Sequence, residues 1–219
     1  MGFLVKSKIN NDIIIYKKCG EYMKQSYSKN YFERYASLSL LKILLVSRDD
    51  IVQSDRPDIC IHQQWGIEVT QALTPEEAVA DVKKPLYTMF HLNPFNHSHD
   101  DIAFVFEKIE DALLRKEEKA KHYRRFEKNG LYIFTHCINL KAEDLYHYLV
   151  NYSFQTHFYQ YLFLNCVSCV YCFDIHEQTM TCFSYSLKEL LDMNQEALEF
   201  EKHAHKKRRP IDLSKTNKS

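Results

Sequence analysis

Arg56-Pro57-Asp58-Ile59-Cys60-Ile61-His62, followed by Trp65-Gly66-Ile67-Glu68-Val69-Thr70-Gln71-Ala72, is the stretch whose reading decides the fold. Ile59 and Ile61 alternate in the first run, and Ile67 and Val69 in the second. A period of two marks half-buried strands. Gln63, Gln64 and Gly66 are expected to supply the turn that makes the pair a hairpin. Side chains on one face of an antiparallel pair lie within a few ångströms of each other. Asp58, entering the first strand, and Glu68, toward the end of the second, are therefore expected to meet. Two hard oxygen ligands so placed suit Mg2+ or Mn2+.

Pro57-Asp58, a gap, and Glu68-Val69-Thr70 together resemble the bipartite motif of the PD-(D/E)XK nuclease superfamily, in a divergent form with threonine where lysine usually stands. The resemblance implies a restriction-endonuclease-like core and a metal-dependent nuclease. Its substrate would be the phosphodiester bonds of nucleic acid, with DNA the expected one, and its cofactor Mg2+ or Mn2+. It assigns Asp58, Glu68 and the carbonyl of Val69 to the metal, and Thr70 and Gln71 to contacts with nucleic acid. Thr70 departs from the pattern. A threonine cannot supply the cation that orients the attacking water and stabilises charge on the phosphate, so a lysine is expected from elsewhere.

Ahead of the hairpin, Tyr31, Phe32, Tyr35, Leu38, Leu41, Leu44 and Leu45 recur at helical spacing between Asn30 and Val46, which predicts an amphipathic helix. Glu33 rides near its start. The resemblance implies that a glutamate of this helix reaches the metal; the alternative is a surface glutamate favoured by the helix dipole. Earlier still, Ile13-Ile14-Ile15 suits an edge strand or a segment packed under that helix. Past the hairpin, Thr74-Pro75-Glu76-Glu77 carries a helix-start signature, and Pro85 bounds that helix at Lys84. His91, His97, His99, Asp100 and Asp101 then share a polar segment without regular ligand spacing, which reads as a solvated loop rather than a transition-metal site.

Asp101 to Lys128 reads as one long helix, with Ile102, Val105, Ile109, Leu113, Tyr123 and Phe126 along one side and dense charge on the other. Asn129-Gly130 would stop it, and Leu131 to Thr135 would begin a buried strand. Lys116, Lys119 and Tyr123 follow one another at spacings of four or fewer and so share a face. The resemblance implies that basic and tyrosine residues on such a helix contact phosphate or replace the missing lysine. A salt-bridged solvent face with Tyr123 packed under it is the other reading. Asn139 to Ser153 reads as a helix, Phe158 to Phe173 and Met180 to Tyr185 as two strands around a polar turn from Asp174 to Thr179, and Leu187 to Lys202 as a closing helix.

That order suits a single α/β domain over residues 1–201, a mixed central β-sheet flanked by helices on both faces. Residues 202–219 read as a basic polar tail, in which Lys206, Lys207, Arg208 and Arg209 offer phosphate contacts. Over the whole chain the charge is balanced. Lysine plus arginine and aspartate plus glutamate number 29 each among 219 residues, so no global field draws in a polyanion and any nucleic-acid contact must be local. With 15 Tyr, 14 Phe and only 4 Gly, the chain has the apolar content of a packed interior.

No run approaches the roughly 18 apolar residues of a membrane span. Met1-Gly2-Phe3-Leu4-Val5-Lys6 is charged too early for a secretory signal, and Lys6 spoils a myristoylation pattern, so a cytoplasmic chain without a membrane partner is expected. Seven cysteines fit reduced thiols in such a compartment. Cys166, Cys169 and Cys172 have a C-x2-C-x2-C spacing that zinc or an iron–sulfur centre can use, but their β-branched and aromatic flanks suit buried strands in which cysteine behaves as a small hydrophobe. A second functional reading keeps the nuclease-like fold without catalysis, as a nucleic-acid- or protein-binding subunit; Thr70 and the balanced charge permit it. A protein partner or a homodimer stays open.

Overall fold

The elements run α1 (Lys29–Leu44), β1 (Ile51–Gln53), β2 (Ile59–Ile61), β3 (Trp65–Gln71), α2 (Ile102–Ala120), β4 (Lys128–Phe134), α3 (Ala142–Asn151), β5 (Tyr161–Asn165), β6 (Cys169–Asp174), β7 (Thr179–Ser184) and α4 (Leu187–Lys207). They come from a computed structural model that describes residues 29–74, 101–155 and 157–207. The seven strands form one mixed sheet in chain order. β1, β2 and β3 are antiparallel, β3, β4 and β5 parallel, and β5, β6 and β7 antiparallel again. A parallel step needs a crossover, and α2 and α3 lie in the two crossovers.

Alternation along the strands divides the interior in two. Ile67, Val69, Tyr132, Phe134 and Phe163 pack with Tyr35 and Leu40 of α1 and Leu190 and Met193 of α4. Leu131, Ile133, Leu162 and Leu164 pack on the other face with Val105, Ile109 and Leu113 of α2 and Leu145 and Leu149 of α3. The expected single α/β domain with a mixed sheet covered on both faces is what these residues build, and both faces are apolar because both are covered. No helix among the described residues is long and apolar enough to cross a membrane.

The hairpin pairs Ile59 with Ile67 and Ile61 with Trp65. Its turn is His62-Gln63-Gln64 rather than one that includes Gly66. His62 and Gln63 carry φ angles of 49° and 61°, and Gln64 N donates to Ile61 O at 3.0 Å. Gly66 lies inside β3, where a Cβ would stand 2.5 Å from the Phe126 ring. That ring corrects a second expectation. α2 ends at Ala120, not Lys128; Phe126 leaves the helical path to cover Gly66, and β4 starts at Lys128, opposite Trp65. Asn129, expected to stop the helix, is in β4, where its side chain accepts from Phe126 N at 3.0 Å and donates to Phe126 O at 2.9 Å. The helix starts at Asp101, whose side chain caps it by accepting from Ala103 N, so Asp101 serves the fold and not a ligand loop.

The stretch from Phe158 to Phe173, expected as one strand, is a hairpin of β5 and β6. It reverses at Cys166–Ser168, with Val167 at φ 68° and Cys166 N donating to Cys169 O. β1 was not expected; it is a three-residue edge strand with Val52 exposed. α4 continues to Lys207, so the residues from Lys202 to Lys207 belong to a helix and not to a tail. Residues 1–28, the expected helix over 75–84, the segment with His91, His97, His99 and Asp100, and Arg208 and Arg209 lie outside the described residues.

Candidate functional site

Antiparallel pairing sets Ile59 opposite Ile67, which brings Asp58, one residue earlier, level with Glu68. The main chain fixes it there. Val69 N–H donates to Asp58 Oδ2 at 2.8 Å. Both carboxylates are buried, Asp58 to 1 % exposure and Glu68 to 4 %. Two lysines hold them. Lys116, from α2, lies 2.7 Å from Glu68 Oε2 and 3.9 Å from Asp58 Oδ2. Lys29, at the start of α1, lies 2.8 Å from Asp58 Oδ1 and 3.1 Å from Glu33 Oε1, four residues along the same helix. Glu33, 7 % exposed, completes a chain Glu33–Lys29–Asp58–Lys116–Glu68 that joins α1, the hairpin and α2.

Three buried carboxylates beside one half-buried and one exposed ammonium leave negative charge in excess. Burial raises the Glu33 carboxyl, and the charge of Asp58 raises it further, to about 7 against the pull of Lys29. Burial also pushes Glu68 upward, opposed by Lys116. Burial works against the charge on Lys29, but its ion pairs with Asp58 and Glu33 outweigh this and raise its pKa. Lys29 is 62 % exposed by side chain and Lys116 only 17 %. The cluster therefore meets solvent at Lys29 and is closed by Lys116.

Several polar atoms here lack partners. Glu68 Oε1 and the Tyr159 hydroxyl are buried without a hydrogen bond among the described residues, and Glu33 Oε1 touches Lys29 without hydrogen-bond geometry. Buried polar atoms are nearly always paired in folded proteins, so such orphans need a reason. Tyr123, expected to share a face with Lys116, lies in the turn after α2 with its ring edge-on to Phe158. Burial, and then the charges of Glu68 and Asp58, raise its hydroxyl's pKa.

The expected residues thus separate. Glu33, Asp58, Glu68, Val69 and Lys116 come together, with Tyr123 beside them. Lys119 does not join them and is exposed. Thr70 and Gln71 are half-buried in β3; Gln71 O accepts from Arg115 at 3.4 Å. Lys206 and Lys207 are in the last turn of α4. Lys29 and Tyr159 join the site beyond the residues expected from the sequence. The signal for Lys29 was its i, i+4 spacing to Glu33, hidden by starting the helix one residue late; for Tyr159 no sequence signal exists.

Mg2+ and Mn2+ take hard oxygen donors, and Glu33, Asp58 and Glu68 supply them, with Glu68 Oε1 unpartnered. The donor chemistry fits. The present arrangement is not a closed coordination shell, because the lysines stand between the carboxylates: among the described residues, no three His, Cys, Asp or Glu side chains are arranged around one ion. Cys166, Cys169 and Cys172 fit a metal less well. Cys166 is buried in the core on the α2/α3 face with Cys169 against it, whereas Cys172 packs on the α1/α4 face, as a three-residue offset along a strand dictates. No protein-family model, curated protein or solved structure matches this chain.

Proposed function

We propose that this chain is a metal-dependent nuclease that hydrolyses phosphodiester bonds in nucleic acid, with DNA as the expected substrate. One observation carries the reading: three buried carboxylates from α1 and the hairpin converge with a half-buried lysine from α2, and one carboxylate oxygen, Glu68 Oε1, has no partner among the described residues. Glu33, Asp58 and Glu68 would hold Mg2+ or Mn2+. When bound, such an ion polarises the phosphodiester and lowers the pKa of a coordinated water.

The remaining work falls to the chain's own groups. Val69 N–H fixes the Asp58 carboxylate, so that its orientation does not depend on the ligand. Lys116 holds Glu68 and brings a cation to the place that Thr70 leaves without one; there it can neutralise charge developing on the phosphate. Lys29 bridges Glu33 and Asp58, and as the exposed member of the cluster it is the ammonium that would give way to a cation held by those carboxylates.

The second reading, an inactive nuclease-like subunit that binds nucleic acid or protein, is favoured by the same ion pairs, since two lysines already occupy most of the carboxylate oxygens. One experiment separates the two. Single- and double-stranded DNA and RNA are incubated with the protein in Mg2+ and in Mn2+, beside the Asp58→Ala/Glu68→Ala double variant. Metal-dependent cleavage that the variant loses is the expected result. Absence of cleavage, with no Mn2+ binding by calorimetry, overturns the nuclease and leaves the binding subunit.

A further inference from the structure

Tyr159 stands in the segment just before β5, packed into the core on the α2/α3 face with its ring edge-on to Phe158. The residue is only 4 % exposed, and its hydroxyl oxygen is buried with no hydrogen-bond partner among the described residues. A phenylalanine would fill the same space without that penalty. The hydroxyl belongs to the candidate-site end of the sheet: Leu162, three residues on, pairs with Leu131, which pairs with Glu68, and after burial the charges of Glu68 and Asp58 help to hold its proton on. It is thus a neutral O–H donor at any working pH, close enough to the buried carboxylates to feel them, yet bonded to neither.

We propose that Tyr159 is a phosphate-contacting residue of this site, its buried O–H donating to a non-bridging oxygen of the substrate phosphate. The proposal rests on the nuclease reading and adds to it the group that recognises the phosphate. Three features favour a phosphate over another occupant. The acceptor has to come from outside, because the nearby carboxylates leave the hydroxyl unbonded. A phosphate oxygen carries the charge that a hydrogen bond strengthens most. Lys116 lies in the same cluster to balance that charge.

The test compares wild type with Tyr159→Phe in the full chain through three readouts: cleavage of a short DNA duplex in Mg2+, binding of a fluorescent oligonucleotide in Ca2+, and Mn2+ affinity by electron paramagnetic resonance. Loss of one hydrogen bond to a charged oxygen corresponds to roughly 10- to 100-fold. The expected result is a loss of that size in cleavage or oligonucleotide binding, with Mn2+ affinity unchanged and the melting temperature equal or higher. A lower melting temperature with unchanged cleavage and binding would make the hydroxyl structural, and weaker Mn2+ binding would make it a support of the metal ligands; either overturns the proposal. If wild type cleaves nothing but binds the oligonucleotide, and Tyr159→Phe weakens that binding, the nuclease reading falls and the phosphate contact stands. If wild type cleaves and Tyr159→Phe matches it, the phosphate contact alone falls. If wild type neither cleaves nor binds, both fall.

Discussion

On the α1/α4 face, the Tyr132 hydroxyl accepts from Asn165 Nδ2 at 2.9 Å and meets Ser39 Oγ at 2.8 Å; Ser39 in turn donates to Ala36 O, and Asn165 Oδ1 accepts from Val167 N. Tyr132 has one proton, and since it accepts from Asn165 while Ser39 spends its own proton on Ala36, that proton goes to Ser39. Every member is used. At the Asp58–Glu68 end of the same sheet, equally buried groups end in atoms with nothing to bond: Glu68 Oε1 and the Tyr159 hydroxyl among the described residues. The first network ties α1 to β4 and β5 and stabilises the fold. The second holds excess negative charge and unmet hydrogen-bonding capacity, both of which cost stability. The contrast sets a closed network of neutral groups against a charged cluster with hydrogen-bonding capacity left open.

The largest effect that would test this contrast lies at the lysines. Lys116→Met should lower cleavage by about 100-fold or more, the scale of losing one preorganised donor at a developing charge, while Lys119→Met, altering an exposed residue outside the cluster, should leave rates within a few-fold. Steady-state kinetics on one oligonucleotide decides it; equal effects would show that α2 contributes only general positive charge. A smaller effect, opposite in kind, is expected at Tyr132. Tyr132→Phe strands Ser39 Oγ and Asn165 Nδ2 and should cost about 1–3 kcal/mol of stability, or roughly 2–4 °C in Tm for each kcal/mol in a chain of this size. Cleavage should not change. Loss of activity without loss of stability would break the comparison.

The hairpin and its carboxylates were legible because alternation, the position of Asp58 and that of Glu68 are local facts, and antiparallel pairing converts them directly into proximity. α1 and the start of α2 were legible for a similar reason, apolar residues at helical spacing, whereas the Asp101 cap is seen only in the fold. The end of α2 was not. Tyr123 and Phe126 continue the helical spacing, and only the hole above Gly66, formed by a residue 60 positions earlier in the chain, explains why Phe126 leaves it. The β5–β6 hairpin was hidden because its turn, Cys166-Val167-Ser168, contains no glycine, proline, asparagine or aspartate, and a valine takes the left-handed conformation. At the site, Lys116 could be named from its helix face, but its separation from Lys119 depends on how α2 lies against the hairpin. Tyr159 could not be named at all, since its role rests on a missing partner, which no sequence displays.

The finest distinction concerns Glu33, whose carboxyl is pushed up from an ordinary 4.5 to about 7 by burial and by the charge of Asp58. Folded Glu33 binds its proton more tightly than the unfolded chain does. This favours the fold fully below pH 4.5, and the advantage is lost as pH rises through about 7. Melting temperatures of the chelator-treated protein should accordingly carry a downward contribution between those values, and Glu33→Gln, which cannot titrate, should flatten it without moving the slope elsewhere. Tyr132→Phe should shift the whole curve down and leave its shape alone, because neutral partners set that network. Lys29→Met should extend the Glu33 contribution to higher pH by removing the cation that opposes it. Parallel curves for wild type and Glu33→Gln would mean that Glu33 ionises as an ordinary surface carboxylate, and the cluster would then lose its excess charge and its difference from the Tyr132 network.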